Sequence, residues 1–194
     1  TGPRQAGKTT LCRQAFARHD YLNLERPDLR EFAQRDPRGL LAGVGAAGVV
    51  LDEIQRVPEL LSWIQVAVDE RSGPGRFVLT GSHSFELMAS ISQSLAGRTA
   101  LLQLLPMSIA ELQDAGLRAS TDRLLFAGGY PRIHADALDP TVALADYFAT
   151  YVERDLRQLV ELRHQPEFRR FVRLAAGRIG QLLNLQGLAA DVGV

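Results

Sequence analysis

The amino-acid sequence predicts an α/β fold, a three-layer sandwich with a parallel sheet between helices, continued by a helical subdomain. Three observations carry this expectation. Apolar, strand-like runs alternate with amphipathic helical stretches through residues 1–106, the pattern of a parallel sheet flanked by helices. Two of these runs break off into polar residues, and open α/β sheets hold their ligands at such strand ends. From Ser108 onward helical periodicity replaces strand signals.

The chain opens with Gly2-Pro3-Arg4-Gln5-Ala6-Gly7-Lys8-Thr9, which fits G-x-x-x-x-G-K-[ST]. This is the Walker A loop, whose backbone amides wrap phosphates while its lysine reaches the outer ones. Gly2 and Gly7 allow a close backbone approach that a Cβ would block. Lys8 is the only lysine among 22 Lys and Arg residues, and a compact ammonium suits a crowded nest better than a planar guanidinium. Thr9 offers a hydroxyl to Mg2+. Residues 9–18 read as a helix that begins with Thr9 and Thr10 and points its positive end at the nucleotide.

Tyr21 to Glu25 alternates as a strand, and Pro27 to Gln34 follows as a helix. Ala47 to Glu53 (AGVVLDE) is an apolar run ending in two carboxylates, read as a buried parallel strand in the Walker B position. Asp52 is expected to hold Mg2+ through water, and Glu53 to polarise the water that attacks the γ-phosphate. An acid pair is also a common surface terminus of a strand, and the phosphate loop is what favours the functional reading. Pro58 to Arg71 carries Leu60, Leu61, Ile64, Ala67 and Val68 on one helical stripe and starts with a well-placed proline.

Arg76 to Thr80 (RFVLT) reads as a third strand running into Gly81-Ser82-His83-Ser84. Thr80 and Ser82 are candidate sensors of the γ-phosphate or the lytic water; the same residues also make a strand-to-helix turn with Ser84 as N-cap of 85–88. His83 reads as a loop residue, since His19, His134 and His164 stand apart without metal-ligand spacing. Thr99 to Leu105 is a further predicted strand, bounded by Pro106. Beyond it, Ser108 with Glu111 forms a capping box, Gly128-Gly129-Tyr130-Pro131 a turn, and Thr141 to Leu162 and Glu167 to Gln181 amphipathic helices.

Composition narrows the field. With 46% hydrophobic and 23% charged residues in 194, the chain is globular and wholesale disorder is excluded. Basic and acidic residues balance at 22 each, so any nucleic-acid role must come from a local patch. The longest weakly polar run, Leu40 to Leu51, is 12 residues, short of the roughly 20 a spanning helix needs. No membrane partner is expected. One cysteine, Cys12, makes no internal disulfide, and a cytoplasmic address is expected.

The segments TGPRQAGKTTL, VVLDEIQRVPELL, FVLTGSHSFELM, SLAGRT, GGYPRI, TYVERDLRQL and GQLLN together resemble the AAA-type ATPases of bacteria and archaea that carry a C-terminal domain of unknown function. The resemblance covers essentially the whole chain and implies a P-loop NTPase fold binding ATP. It implies a strand order in which another strand separates the acid strand from the phosphate-loop strand. It also implies a C-terminal winged helix and, in many members, a nuclease-like domain. On it, residues 1–106 are the ATPase core, 107–181 a helical lid and 182–194 the start of the winged helix. His83 departs from the pattern, which often has glutamine there. Residue 1 already lies within the phosphate loop and the chain stops at Val194, so it is read as a fragment, expected on its own to bind ATP poorly and to aggregate.

Arg98 and Arg154 resemble positions where such ATPases place charge sensors that act in the transition state and couple to subunit contact in a homo-oligomer. Either arginine also serves as a solvated surface residue, with Glu153 and Arg157 forming an i,i+4 pair. Asn184 to Val194 carries Leu185, Leu188, Ala189 and Val192 as a stripe. It reads as a plain amphipathic helix or, through the resemblance, as the first helix of a winged-helix module whose second helix would contact DNA. Three functions compete: an ATP hydrolase with Glu53 as base, a nucleotide-dependent DNA-binding switch with slow hydrolysis, and a P-loop small-molecule kinase. The adjacent Asp52 and Glu53 favour water activation, and no acceptor site for a kinase is visible.

Overall fold

The computed structural model describes residues 1–70, 73–81, 91, 93–152 and 165–193, with residues 151, 152 and 165 as backbone only. Helix α1 (Lys8–Ala15) follows the glycine-rich loop and leads into strand β1 (Asp20–Asn23). Pro27 at its first position and Asp28 in its first turn start α2 (Pro27–Arg35), the positions a proline and an acid favour at a helix N-terminus. Pro37 then disfavours the helical conformation for Asp36, which sits at φ −140° and ψ 69°. The chain breaks and restarts as α3 (Pro37–Ala42), whose first turn is capped by the Asp36 carboxylate accepting from the Gly39 amide at 2.8 Å.

Strand β2 (Val49–Asp52) is buried along its whole length, as a strand covered on both faces must be. A 3-10 turn at Ile54–Arg56 leads to α4 (Leu60–Glu70), and β3 (Phe77–Leu79) completes a parallel sheet of order β1-β2-β3 among the described residues. The register pairs Leu22 with Leu51 and Leu51 with Leu79, and likewise Tyr21 with Val50 and Val50 with Val78. Side chains alternate across the sheet. Val49 and Leu51 therefore face a core made with Ala33 of α2, Leu40 and Leu41 of α3, and Leu60, Leu61 and Ile64 of α4. The opposite face carries Tyr21, Asn23, Val50 and Asp52. Trp63 on α4 is 43% exposed.

Both hydrogen-bonding edges of β2 are taken, by β1 and β3. The acid strand thus does not pair with the chain of the phosphate loop, in keeping with the strand order that the resemblance implies. The expected strand over 99–105 is corrected, because no ladder forms there. Among the described residues its backbone bonds run to Thr1: the Leu104 amide donates to Thr1 O at 2.8 Å and the Thr1 nitrogen to Leu102 O at 2.7 Å. Leu102 is 78% exposed.

The capping box at Ser108 forms as expected and starts α5 (Ile109–Asp114): the Glu111 amide donates to Ser108 Oγ, and Glu111 accepts from the Ser108 amide at 2.7 Å. Helix α6 (Thr121–Ala127) ends at Gly128 with φ 69°, and Pro131 opens α7 (Pro131–Ala135).

The chain divides into two compact units, 1–138 and 139–194. In the second, Asp139 caps α8 (Pro140–Tyr147), which widens into a π-helical turn at Phe148–Val152. The predicted helix through Leu162 thus changes character at Phe148, and its stretch beyond Val152 lies outside the described residues. Helix α9 (Gln165–Ala176) packs on α10 (Leu185–Val192), which Asn184 caps by accepting from the Gly187 amide at 2.9 Å. Leu188 and Val192 are buried while Leu185 is exposed, so the predicted stripe is narrower than expected. Among the described residues no helix is long and apolar enough to cross a membrane.

Candidate nucleotide site

The loop from Gly2 to Gly7 makes its turns through Gln5 at φ 61° and Gly7 at φ 93°, and Gly7 is the N-cap of α1. The first-turn amides of α1, including those of Lys8, Thr9 and Thr10, have no intrahelical acceptor and are available to an anion. Gly2 must be glycine, since a Cβ there would lie 2.1 Å from Leu104 O. Lys8 curls back over the loop, its Nζ donating to Gly2 O at 3.0 Å and Pro3 O at 2.7 Å. Burial pushes the Lys8 ammonium below its ordinary pKa, opposed by the carboxylates of Glu53 and Asp52.

Strand parity explains the other half. Asp52 ends β2 on the α1 face and is 1% exposed. Thr80, 4% exposed, shares that face because it lies two residues beyond Val78, and Tyr21 reaches the same point from β1. Three hydroxyls converge on the Asp52 carboxylate: Thr9 Oγ1 donates to Oδ2 at 2.8 Å, Tyr21 OH donates to Oδ2, and Thr80 Oγ1 donates to Oδ1. A buried carboxylate requires such compensation. Burial, and then the bond to Asp52, raise the Tyr21 phenol to about 12. The Arg13 guanidinium lies over its ring at 4.1 Å.

Glu53 follows with φ 60° and ψ 45°, a left-handed conformation in a residue with a Cβ. Its carboxylate accepts from Gln55 Nε2. The turn that opens α7 also approaches the loop, since a Cβ on Gly7 would find Pro131 Cγ at 3.9 Å.

The structure therefore joins Lys8, Thr9, Asp52 and Thr80 with the loop residues Gly2, Pro3 and Gly7. It does not bring Arg98 to them. That guanidinium is held by Asp69 of α4, with Nε to Oδ1 at 2.6 Å, and by Ala96 O. Thr10 is exposed on α1. Ser82, His83, Ser84, Glu153, Arg154, Arg157 and His164 lie outside the described residues. Tyr21, Gln55 and Pro131 are the site residues that sequence reasoning missed. For Tyr21 a signal existed, as its place in the alternation of β1 puts it on the acid's face once register is known. Among the described residues no group of three or more His, Cys, Asp or Glu could hold a metal.

The family comparison agrees with this geometry. Residues 1–113 match the AAA domain family, and residues 118–194 match a domain of unknown function (DUF8612). Uncharacterized proteins of Mycobacterium bovis and Mycobacterium tuberculosis are each 37% identical over 199 aligned residues, covering 100% of this chain and 44% of theirs. The chain thus spans less than half the length of these relatives. No solved structure matches it. An AAA domain implies nucleotide binding on a P-loop core. Since the match over residues 1–113 takes in more than half of the 194 residues, the chain belongs to the AAA domain family.

Proposed function

We propose that the protein binds ATP with Mg2+ and hydrolyses it to ADP and phosphate. The observation that carries this reading is the 2.8 Å bond between Thr9 of the phosphate loop and Asp52 at the end of β2, with Glu53 next in the chain. The donor set fits Mg2+: a hydroxyl and a buried carboxylate are hard oxygen ligands, and one carboxylate leaves places for phosphate oxygens and water. Bound between Thr9 and Asp52, the ion would neutralise charge developing on the phosphates.

The chain's own groups do the rest. Lys8 exchanges Gly2 O and Pro3 O for phosphate oxygens, and the amides of α1 bind the same anion. Glu53 takes a proton from water as its oxygen bonds the γ-phosphorus. The bond from that phosphorus to the β,γ-bridging oxygen breaks, and ADP keeps the electron pair. Thr80, through Asp52, ties the end of β3 to this arrangement. Sensor roles for Ser82, Arg98 and Arg154 belong to the same proposal, Arg98 requiring release from Asp69.

Two variants test it by separating ground state from reaction. Lys8→Ala is expected to abolish ATP binding, because Lys8 contacts phosphate in the bound state. Glu53→Gln is expected to bind ATP while phosphate release falls by about 100-fold or more. Equal loss of binding in both variants would sink the assignment of Glu53. A second reading, a DNA-coupled switch with slow hydrolysis, draws on α10, whose end at Gly193 with φ 94° suits a turn into a following helix. Phosphate release measured with and without duplex DNA separates the two.

A further inference from the structure

We infer that Gln55 is a positioning residue for Glu53, its side-chain amide fixing the carboxylate that activates water. This rests on the reading of Glu53 as base given above. The two residues share one tight turn. The Arg56 amide donates to Glu53 O at 2.9 Å, and the Ile54 amide donates to Thr80 O at 3.0 Å, which anchors the turn to the end of β3. Ile54 is 1% exposed and holds it from below. Onto this fixed backbone Gln55 Nε2 donates to Glu53 Oε2.

The orientation of the Gln55 amide follows from chemistry. A carboxylate only accepts, so the nitrogen must face Glu53. The carbonyl Oε1 is thereby turned inward, where it is buried with no hydrogen-bond partner among the described residues. A buried acceptor left unmade costs free energy, and an apolar side chain of the same size would serve the turn without that cost. Local stability thus does not explain the glutamine; the bond to Glu53 does.

Glu53 also needs holding. Its charge is felt at the Lys8 ammonium, the one lysine of the site. A glutamate free to rotate from its left-handed backbone would be drawn toward that ammonium, away from the water and onto the group that must contact phosphate. Gln55 offers the carboxylate a neutral partner and keeps acid and lysine at separate tasks.

The test uses the intact protein with steady-state phosphate release, ATP binding and thermal unfolding. Gln55→Leu removes the donor and the unpaired carbonyl together at similar volume. It should lower kcat roughly 10- to 100-fold, leave KM and ATP affinity unchanged, and leave the unfolding temperature unchanged or higher. In a Glu53→Gln background the same substitution should cost nothing further, because the carboxylate it positions is gone. Unchanged kcat in Gln55→Leu, or an equal fall in both backgrounds, would overturn the inference while Glu53 stands. Full turnover in Glu53→Gln would instead overturn the reading of Glu53 itself.

Discussion

Tyr21 shows how a side chain away from the recognisable motifs acquires a measurable signature. Its hydroxyl donates to Asp52, and burial helps to hold the phenol at about 12, above the value of about 10 for a free tyrosine. The neutral form is therefore favoured by folding. The stabilisation is complete below about pH 10 and is lost as pH rises toward about 12. Tyr21→Phe, which lacks the hydroxyl, should be less stable at about pH 8, and the gap to the natural protein should close toward about pH 12. Urea unfolding of both forms across that range measures it. The meeting of Thr9 with Asp52 was legible in the sequence, because the G-x-x-x-x-G-K-[ST] spacing and an apolar run ending in acids are both local signals. Tyr21 and Gln55 were not, since what matters for Tyr21 is register between strands, and for Gln55 the rotamer of an amide after a turn.

Where elements meet, glycine decides. Gly48 enters β2 at φ 113°, and a Cβ there would lie 2.3 Å from Arg76 O, the carbonyl that accepts from the Val49 amide at 2.8 Å. Gly48 O in turn accepts from the Asp20 amide at 3.0 Å, so all three strands start around this residue. Gly48→Ala should cost about 1–3 kcal/mol from backbone strain alone. Gly43→Ala, at φ −74° with its nearest neighbours at 3.6 Å, should be neutral or slightly stabilising. Denaturant midpoints of the two variants compare them directly. Elements announced by local chemistry were legible: the proline start of α2 and the capping box of α5. Helix α3 starts at Pro37 behind the capping Asp36, but its last residues run into the glycine-rich apolar stretch from Leu40, which hid it. The strand expected over 99–105 failed for a non-local reason, since a strand exists only with a partner beside it.

At the scale of the whole molecule, the chain divides at Leu138, and a nucleotide bound at the phosphate loop is expected to stabilise unit 1–138 more than unit 139–194. The single tryptophan, Trp63, belongs to the unit that holds the phosphate loop, so its emission follows that unit's unfolding while circular dichroism follows both. Mg-ATP at about 100 times its dissociation constant should stabilise the tryptophan-reported transition by about 2.7 kcal/mol. The remaining part of the dichroism change, from helices 139–194, should move less. Identical shifts by both probes would show that the two units unfold as one.

The arginine bias of the chain leaves a chemical consequence at the site. Lys8 carries the only side-chain primary amine in these residues, and burial favours its neutral, nucleophilic form more than in an exposed lysine. Amine-directed acylation of side chains is thus confined to the phosphate loop. The initial rate of acylation there, readable by mass without a substrate analogue or an engineered label, is expected to fall when a nucleotide fills the loop.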